Sequence, residues 1–269
     1  MLLVIKMGGS ILKEGASISL VEDLKEVAKQ HKIVLVHGGG AEVTEIASKL
    51  GKEQKFIMSP EGFRSRYTDK ETIEIYTMVM AGKMNKQIVL ALEAAGISAV
   101  GLSGLDAAIL KAERKTRLIV VDERGRKKVI DGGYTGKITQ VNTEVLNLLL
   151  DKGYLPVVTP IALSQDSEPL NVDGDRTAAV VAGALKADTL IMLTDVEGLM
   201  LKGERVPKIA ATDVKEVLSK IGGGMSTKVH AGLEALNQGV KEVLVTSGTA
   251  NQPITSVLNH QCGTVITSE

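Results

Sequence analysis

Short apolar runs alternate with amphipathic stretches along almost the whole 269-residue chain. Such runs are typical of parallel strands buried on both faces, and the stretches between them place apolar residues at helical spacing. The alternation predicts an α/β fold, a three-layer sandwich around a large, mostly parallel central sheet. The predicted strands are 2–6, 32–37, 97–102, 155–160, 189–193 and 242–246, and the predicted helices are 19–30, 41–51, 85–96, 143–153, 176–187 and 228–239.

Two segments interrupt this alternation. Residues 107–139 contain β-branched runs and a turn signal at 123–125 without a helical period, which predicts antiparallel hairpins inserted into the α/β body. Residues 164–175 are polar and contain a proline. We take the second segment as the junction between an N-terminal lobe, 1–163, and a C-terminal lobe, 164–269.

Composition excludes several classes of protein. The 32 basic residues balance the 32 acidic ones, so no global charge favours nucleic acid or an anionic membrane, and neither is predicted as a partner. Cys262 is the one cysteine, which rules out an internal disulfide. The opening apolar run breaks at Lys6, too early for a signal peptide, and no apolar tract reaches spanning length. We expect a cytoplasmic protein.

Two glycine-rich loops each follow a predicted strand. Lys6 precedes Gly8 and Gly9 in the first, and His37 precedes Gly38 and Gly39 in the second. Glycines let the backbone approach an anion and leave amides free to bind it. A tight turn or a flexible connection would explain either loop alone, but two such loops at strand ends open onto the same edge of a parallel sheet.

Three further motifs occupy the C-terminal half. In NVDGD (171–175), Asp173 is best read as a helix cap, and Asp175 could be only a first-turn acid that balances the helix dipole. In LTDVEG (193–198), Asp195 follows a buried strand, where a simple turn is an equal explanation. GGGM (222–225), followed by Lys228, would alone read as a linker with a surface lysine.

Other chemistries find no support in the sequence. The P-loop and GxGxxG signatures are absent. The four histidines lack the spacing of a zinc site, and we predict no metal site built from protein side chains. His37 could touch a ligand, although a hydrogen-bonded histidine at a strand end is more common.

The order of these motifs, with G-x-R at 62–64 between the second and third, resembles the amino acid kinase family across essentially the whole chain. Within it, the chain is similar to the acetylglutamate kinases, which use ATP and Mg²⁺ to convert a side-chain carboxylate into an acyl phosphate. The resemblance implies that Lys6 and Lys228 neutralise the phosphoryl group in transit and that Asp175 holds both lysines.

The same resemblance implies the binding residues. Gly8 and Gly9 would offer amides to the phosphates, and Gly38 and Gly39 to the acceptor. Arg64 would bind a carboxylate of the acceptor and Asn171 its polar head. The residues facing the nucleotide would be Asp195, Gly223, Gly224 and Met225.

The chemistry of this reaction agrees with the residues present. A carboxylate acceptor, with an ordinary pKa of about 4.3, is ionised at neutral pH and requires no general base. Two anions must instead be brought together, which calls for cations and amide donors around the phosphoryl group. The lysines, the glycine loops and Mg²⁺ meet that requirement.

The stretch GFRSRYTD (62–69) departs from the GxRVTD that is usual in acetylglutamate kinases by two additional residues. Arg64 matches the arginine of the family, whereas Arg66 and Tyr67 are extra. This longer form resembles kinases of archaea and thermophilic bacteria that act on 2-aminoadipate or glutamate attached to an acidic amino-group carrier protein. The resemblance implies a larger, more anionic acceptor, and Arg66 becomes a second candidate for binding it.

A local excess of positive charge lies in the predicted hairpins. Residues 111–128 contain eight basic residues and three acids. Such a patch would steer an acidic carrier, although charges that keep a hairpin edge soluble are common. The residues we expect to dock the carrier are Arg124, Arg126, Lys127 and Lys128.

Two rival hypotheses remain open at this point. One is a kinase of free N-acetylglutamate, in which Arg66 merely closes a loop. The other is a non-catalytic nucleotide-binding regulatory module, against which the joint presence of Lys6, Asp175 and Lys228 argues. Because the first strand begins at once, we expect no N-terminal helix of the kind found in arginine-inhibited hexamers, and the resemblance implies a homodimer through the N-terminal lobe. Glutamate and 2-aminoadipate are not distinguished.

Overall fold

The computed structural model describes residues 1–12 and 17–269. The strands are β1 Leu2–Met7, β2 Lys32–His37, β3 Phe56–Met58, β4 Arg64–Arg66, β5 Ala99–Ser103, β6 Leu110–Arg114, β7 Arg117–Val121, β8 Lys127–Asp131, β9 Gly136–Val141, β10 Leu155–Thr159, β11 Ile161–Leu163, β12 Pro169–Asn171, β13 Thr189–Thr194, β14 Met200–Leu201, β15 Glu204–Arg205, β16 Lys208–Ala210, β17 Glu242–Ser247 and β18 Thr264–Thr267. The α-helices are α1 Ile18–Ala28, α2 Gly40–Lys49, α3 Lys70–Thr77, α4 Asn85–Ala94, α5 Glu144–Asp151, α6 Gly174–Ala184, α7 Val214–Leu218, α8 Gly223–Asn237 and α9 Pro253–Leu258, with a π-helical segment at Met78–Met84.

The central sheet has eight strands in the order β16-β18-β17-β13-β1-β2-β10-β5. All neighbours are parallel except β17 and β18. The six predicted strands are its six long members, so the predicted fold class is confirmed. The sequence analysis missed β16 and β18, which are only three and four residues long.

Alternation along the central strand separates two apolar cores. Leu3, Ile5 and Met7 face a core shared with α1, α2 and α4. Val4 faces the opposite core, which contains the apolar residues of α5, α6 and α8. Because side chains alternate along a strand, Lys6 lies on the same face as Val4 and is directed toward α6 and α8.

The predicted antiparallel insertion is confirmed. Strands β6 and β9 pair antiparallel and join β11 and β12 in a four-stranded sheet, while β7 and β8 form a separate hairpin. Gly125 takes a positive φ of 76° in the predicted turn, a conformation that glycine adopts without strain.

Both halves of the chain contribute to the central sheet, since β1 lies between β2 and β13. A division into lobes at 163/164 stays a prediction. Among the described residues, no helix has both the length and the apolar character needed to span a bilayer.

Candidate active site

The two glycine loops meet at the carboxyl edge of the sheet, as predicted. The Gly38 amide donates to the carbonyl of Met7 (2.9 Å). A Cβ placed on Gly9 would lie 3.0 Å from the nitrogen of Gly39, and one on Gly38 would lie 3.0 Å from the nitrogen of Gly9. Backbone thus contacts backbone, and neither position has room for a side chain.

Three charged side chains converge beneath these loops. Lys6 Nζ lies 2.8 Å from Asp175 Oδ1, and Lys228 Nζ lies 3.1 Å from Asp175 Oδ2. Asp175 is in the first turn of α6, which packs on the face of β1 that presents Lys6, and Lys228 is in the second turn of α8, which packs against α6. We call Lys6, Asp175 and Lys228 the charged triad.

The triad is buried, and its charges do not cancel. The three residues are 7%, 6% and 8% exposed. Burial alone would raise the pKa of Asp175, but the attraction of Lys6 and Lys228 outweighs it and holds that pKa below its ordinary value. Two ammonium groups therefore share one carboxylate. The net positive charge, beside free amides, makes this a site for an anion.

Asp173 caps α6, as the sequence predicted. Its carboxylate accepts a hydrogen bond from the Arg176 amide (2.8 Å). Burial, and then the negative charge of Asp175, raise the pKa of Asp173. Asp173 is thus a helix cap, as the sequence analysis expects. Asp175 does more than balance the helix dipole in the first turn.

A cavity of 1030 Å³ extends from the charged triad. Its volume lies at the upper end of the range usual for ligand pockets. Its walls are the glycine loops, the β3–β4 and β7–β8 hairpins, the loop before α6, and α8. The predicted residues that line it are Lys6, Gly9, Gly38, Gly39, Arg64, Arg66, Asn171 and Asp175.

Arg64 and Arg66 occupy different environments in β4. Arg64 is exposed and stacks its guanidinium 3.7 Å from the centroid of the Phe56 ring, and its side-chain donors make no hydrogen bond with the described residues. Arg66 is 9% exposed and donates to the Gly40 carbonyl (2.7 Å), to Thr44 Oγ1 (2.9 Å) and to the side chain of Gln54. Most donors of Arg66 are thus engaged within the protein, and a role in binding the acceptor stays a prediction for it.

Asn171 lies at the end of β12 and is held on the cavity wall. Its side-chain amide donates to Thr68 Oγ1 (2.9 Å), and its backbone amide donates to the Tyr134 carbonyl (2.8 Å). Its side-chain carbonyl is left to accept from a ligand. This placement fits the proposed contact with the polar head of an acceptor.

Both ring nitrogens of His37 form hydrogen bonds within the protein. Its Nδ1–H donates to the Gly38 carbonyl (3.1 Å), and its Nε2 accepts from Thr159 Oγ1 (2.8 Å). Burial lowers the pKa of His37 to about 4, so the ring is neutral near pH 7. It supports the second glycine loop and takes no proton from a reactant.

The residues predicted to face the nucleotide lie outside this cavity. Asp195 follows β13 at the same sheet edge and accepts from Thr194 Oγ1 (3.1 Å). Gly223 begins α8 with a φ of 61°, and a Cβ on Gly223 or Gly224 would meet no atom within 4 Å. Gly8 donates its amide to the Leu193 carbonyl (3.1 Å). The start of α8, which includes Met225, is open to a ligand; binding by these residues stays a prediction.

The predicted docking residues lie around the turn of the β7–β8 hairpin. Arg126 pairs with Asp122 (2.8 Å), whose carboxylate also accepts from the amides of Arg124 and Arg126. All four side chains are exposed and lie outside the cavity. We call Arg124, Arg126, Lys127 and Lys128 the basic turn.

Sequence reasoning missed several residues of the cavity. Phe63 contacts His230 of α8 edge to face, with ring centroids 5.6 Å apart. Lys115 had been counted in the basic surface patch but lines the cavity. The alternation of apolar and polar residues in 110–114 does not predict that Lys115 lines the cavity, because it does not reveal on which element the hairpin packs.

Comparison with known proteins identifies the family. A family model described as "Amino acid kinase family" matches residues 1–247. The chain belongs to the amino acid kinase family. A LysW-aminoadipate/LysW-glutamate kinase of Saccharolobus islandicus is 42% identical over 266 residues, which cover 98% of this chain and 99% of that one. A Nitrosopumilus maritimus protein, provisionally named for the same activity, is 49% identical over 268 residues and covers all of both chains.

A solved structure shares the fold. The carbamate kinase of Giardia lamblia bound to AMP-PNP is 17% identical, with a TM-score of 0.66 over 99% of this chain and 98% of that one. At this identity the likeness concerns the fold alone.

Proposed function

We propose that this enzyme transfers the γ-phosphoryl group of ATP to the side-chain carboxylate of glutamate or 2-aminoadipate whose α-amino group is joined to an acidic carrier protein. The product is an acyl phosphate in lysine or arginine synthesis. The observation that carries the proposal is the charged triad beneath the two glycine loops. The names of relatives at 42% and 49% identity support the same acceptor.

The residues of the site supply what this transfer demands. The ionised carboxylate attacks the γ-phosphorus, and ADP leaves with the bonding electron pair. Lys6 and Lys228 neutralise the charge on the phosphoryl oxygens, and Asp175 keeps the two ammonium groups together before the substrates arrive. Because the acceptor is ionised near pH 7, no general base is needed, and the neutral His37 is consistent with that.

Mg²⁺ fits this site as a companion of the nucleotide. Among residues 1–12 and 17–269, no three His, Cys, Asp or Glu side chains are arranged to hold a metal ion. Mg²⁺ is commonly bound through substrate phosphates and water with few protein ligands, and it would neutralise phosphate charge. We infer that the open start of α8 and Asp195 face the nucleotide. We also propose that the enzyme is a homodimer and that it is located in the cytoplasm.

The acceptor side of the cavity supports a large anionic acceptor. Arg64 presents unpaired donors, Asn171 presents a carbonyl, and the volume exceeds what a free amino acid fills. We infer that Arg64 binds the α-carboxylate. The basic turn is placed outside the cavity, where it could steer an acidic carrier toward the mouth.

The test is acyl phosphate formation, trapped as the hydroxamate. Mg-ATP is supplied with N-acetylglutamate, carrier-linked glutamate or carrier-linked 2-aminoadipate, and reactions with EDTA serve as the control. We expect turnover with the carrier-linked acceptors and little with N-acetylglutamate. Strong turnover with N-acetylglutamate alone would make this a kinase of the free amino acid derivative, and hydroxamate from none of them would favour a non-catalytic module.

A further inference from the structure

Lys115 is a half-buried cation on the wall of the acceptor cavity. It follows β6, and its backbone amide donates to the Thr135 carbonyl (2.9 Å). The neighbouring segment packs so closely that a Cβ on Gly132 would lie 1.5 Å from the Lys115 carbonyl oxygen. The backbone at Lys115 is therefore held in place at the cavity wall.

Two neighbouring cations have carboxylate partners, whereas Lys115 has none among the described residues. Arg114 pairs with Glu168 (3.1 Å), and Arg176 donates twice to Glu234 (2.9 and 3.1 Å). Within the part of the chain that the structure describes, no carboxylate lies within ion-pairing distance of Lys115. Burial, and then the charge of Arg176, lower the pKa of Lys115 by more than the nearby Asp173 carboxylate raises it.

A polar residue of the cavity wall is paired with Lys115 through the backbone. Thr135 also lines the cavity, and its hydroxyl is buried with no partner among the described residues. A bridge pairs Thr135 with Asn171, so Lys115 is connected through one residue to the wall where the polar head of the acceptor is placed. Carboxylates are the common partners of such donors.

The cavity presents more cations than the carboxylates of a simple N-acetyl acceptor would pair with. The reacting carboxylate faces the charged triad, and a second carboxylate is assigned to Arg64. Lys115 and Lys137 both line the cavity without an ion pair among the described residues, so the wall presents more cations than these two groups require. Since the acceptor's nitrogen is acylated, the group that remains to be bound is the acyl chain itself.

We propose that Lys115 binds a carboxylate carried by the acyl group on the acceptor's nitrogen, so that the cavity selects acceptors with a negatively charged acyl chain over those with a neutral one. This inference rests on the proposed function and names the part of the acceptor that Lys115 recognises.

The experiment compares small acceptors that differ in one charge. Binding constants by titration calorimetry, and kcat/KM for hydroxamate formation, are measured with N-succinylglutamate and with the same molecule bearing a neutral terminal amide. N-Glutarylglutamate and its amide extend the test by one methylene. The wild type is expected to prefer each charged acyl group by about tenfold or more.

Variants assign that preference to Lys115. Lys115→Met keeps the apolar stem and is expected to reduce the preference to about onefold, and Lys115→Arg is expected to retain most of it. The matched control is Lys111→Met, which removes an exposed lysine of β6 that lines no part of the cavity. It should keep the full preference.

The outcomes separate this inference from the proposed function. A preference of equal size in the wild type and Lys115→Met, or no preference in the wild type, would overturn the role of Lys115 while leaving carrier-linked turnover standing. Absence of acyl phosphate from every acceptor, the carrier-linked ones included, would overturn both.

Discussion

The charged triad and the basic turn are both groups of cations, but they differ in burial. Lys6 and Lys228 share one carboxylate and are less than a tenth exposed. In the basic turn, Arg126 pairs with Asp122 while its side chain is 70% exposed. Water and salt weaken exposed charges and leave buried ones strong at short range. The triad is therefore suited to act on a bound phosphoryl group, and the turn to act on a partner approaching from solution.

Asp175→Asn should give the largest effect on stability. The substitution leaves two buried ammonium groups without their shared carboxylate, which costs about 3–5 kcal/mol when a buried pair is broken. Urea unfolding at pH 7 measures the loss. Asp213→Asn, at an exposed acid, is the control and should change the free energy of unfolding by less than about 0.5 kcal/mol.

The difference in stability between the wild type and Asp175→Asn should depend on pH. The pKa of Asp175 is lower in the folded protein, so its stabilisation is present above the unfolded pKa of about 3.9 and is lost as the pH falls through the folded value. The difference between wild type and Asp175→Asn should therefore be constant from pH 7 to about 5 and shrink toward pH 3. A difference that grows on acidification would contradict the assignment.

Arg66→Ala and Arg64→Ala should separate a structural arginine from a binding one. Arg66→Ala removes the hydrogen bonds that a buried guanidinium makes to the Gly40 carbonyl and to Thr44, and should cost about 2 kcal/mol or more of stability. Arg64→Ala should change stability by less than about 0.5 kcal/mol and raise KM for the acceptor about tenfold or more. Thermal unfolding and acceptor kinetics on both variants check this, and the reverse pattern would exchange the two roles.

Gly9→Ala should destabilise the carboxyl edge of the central sheet, where the two glycine loops meet above the charged triad. The new methyl would press on the Gly39 backbone at 3.0 Å, where no side chain can move aside, at a cost of about 1–3 kcal/mol. Gly82→Ala is the matched control, because a Cβ there meets no atom within 4 Å and alanine is the better helix former. Equal stability of the two variants in urea would show that the loops are not in contact.

Charge reversal of the basic turn should give the smallest effect. Glutamates at Arg124, Arg126, Lys127 and Lys128 are expected to raise KM for a carrier-linked acceptor by about three- to tenfold at low salt, and by less as salt is added. The control is reversal at Lys25 of α1 and at Lys29, which follows α1; neither residue lines the cavity. An unchanged KM at low salt would remove the docking role.

The sequence predicted the fold and the central site more fully than the acceptor end. The six long strands and the glycine loops follow from local patterns, and the parallel topology brings their ends together. Asp175 could be placed near Lys6 and Lys228 only through the family resemblance, since the three are far apart in sequence.

The sequence did not predict the side-chain contacts between different helices and strands. The binding role of Arg66 stays a prediction, and the sequence did not show that its donors are engaged by residues of α2 and by Gln54. Lys115 looked like part of a surface patch, yet it lies in the cavity. In both cases the packing of a hairpin on its neighbours decides the outcome, and a pattern along one strand does not contain that information.

The most direct test of the account is the rate of phosphoryl transfer in a single turnover by Lys6→Met and Lys228→Met, with Mg-ATP and a carrier-linked acceptor bound beforehand at saturating concentrations. If the triad neutralises the group in transit, each variant should lose about 10²–10³ in that rate while the wild-type circular dichroism spectrum is retained. Transfer rates within about threefold of the wild type, a change below 1 kcal/mol in the barrier, would contradict it.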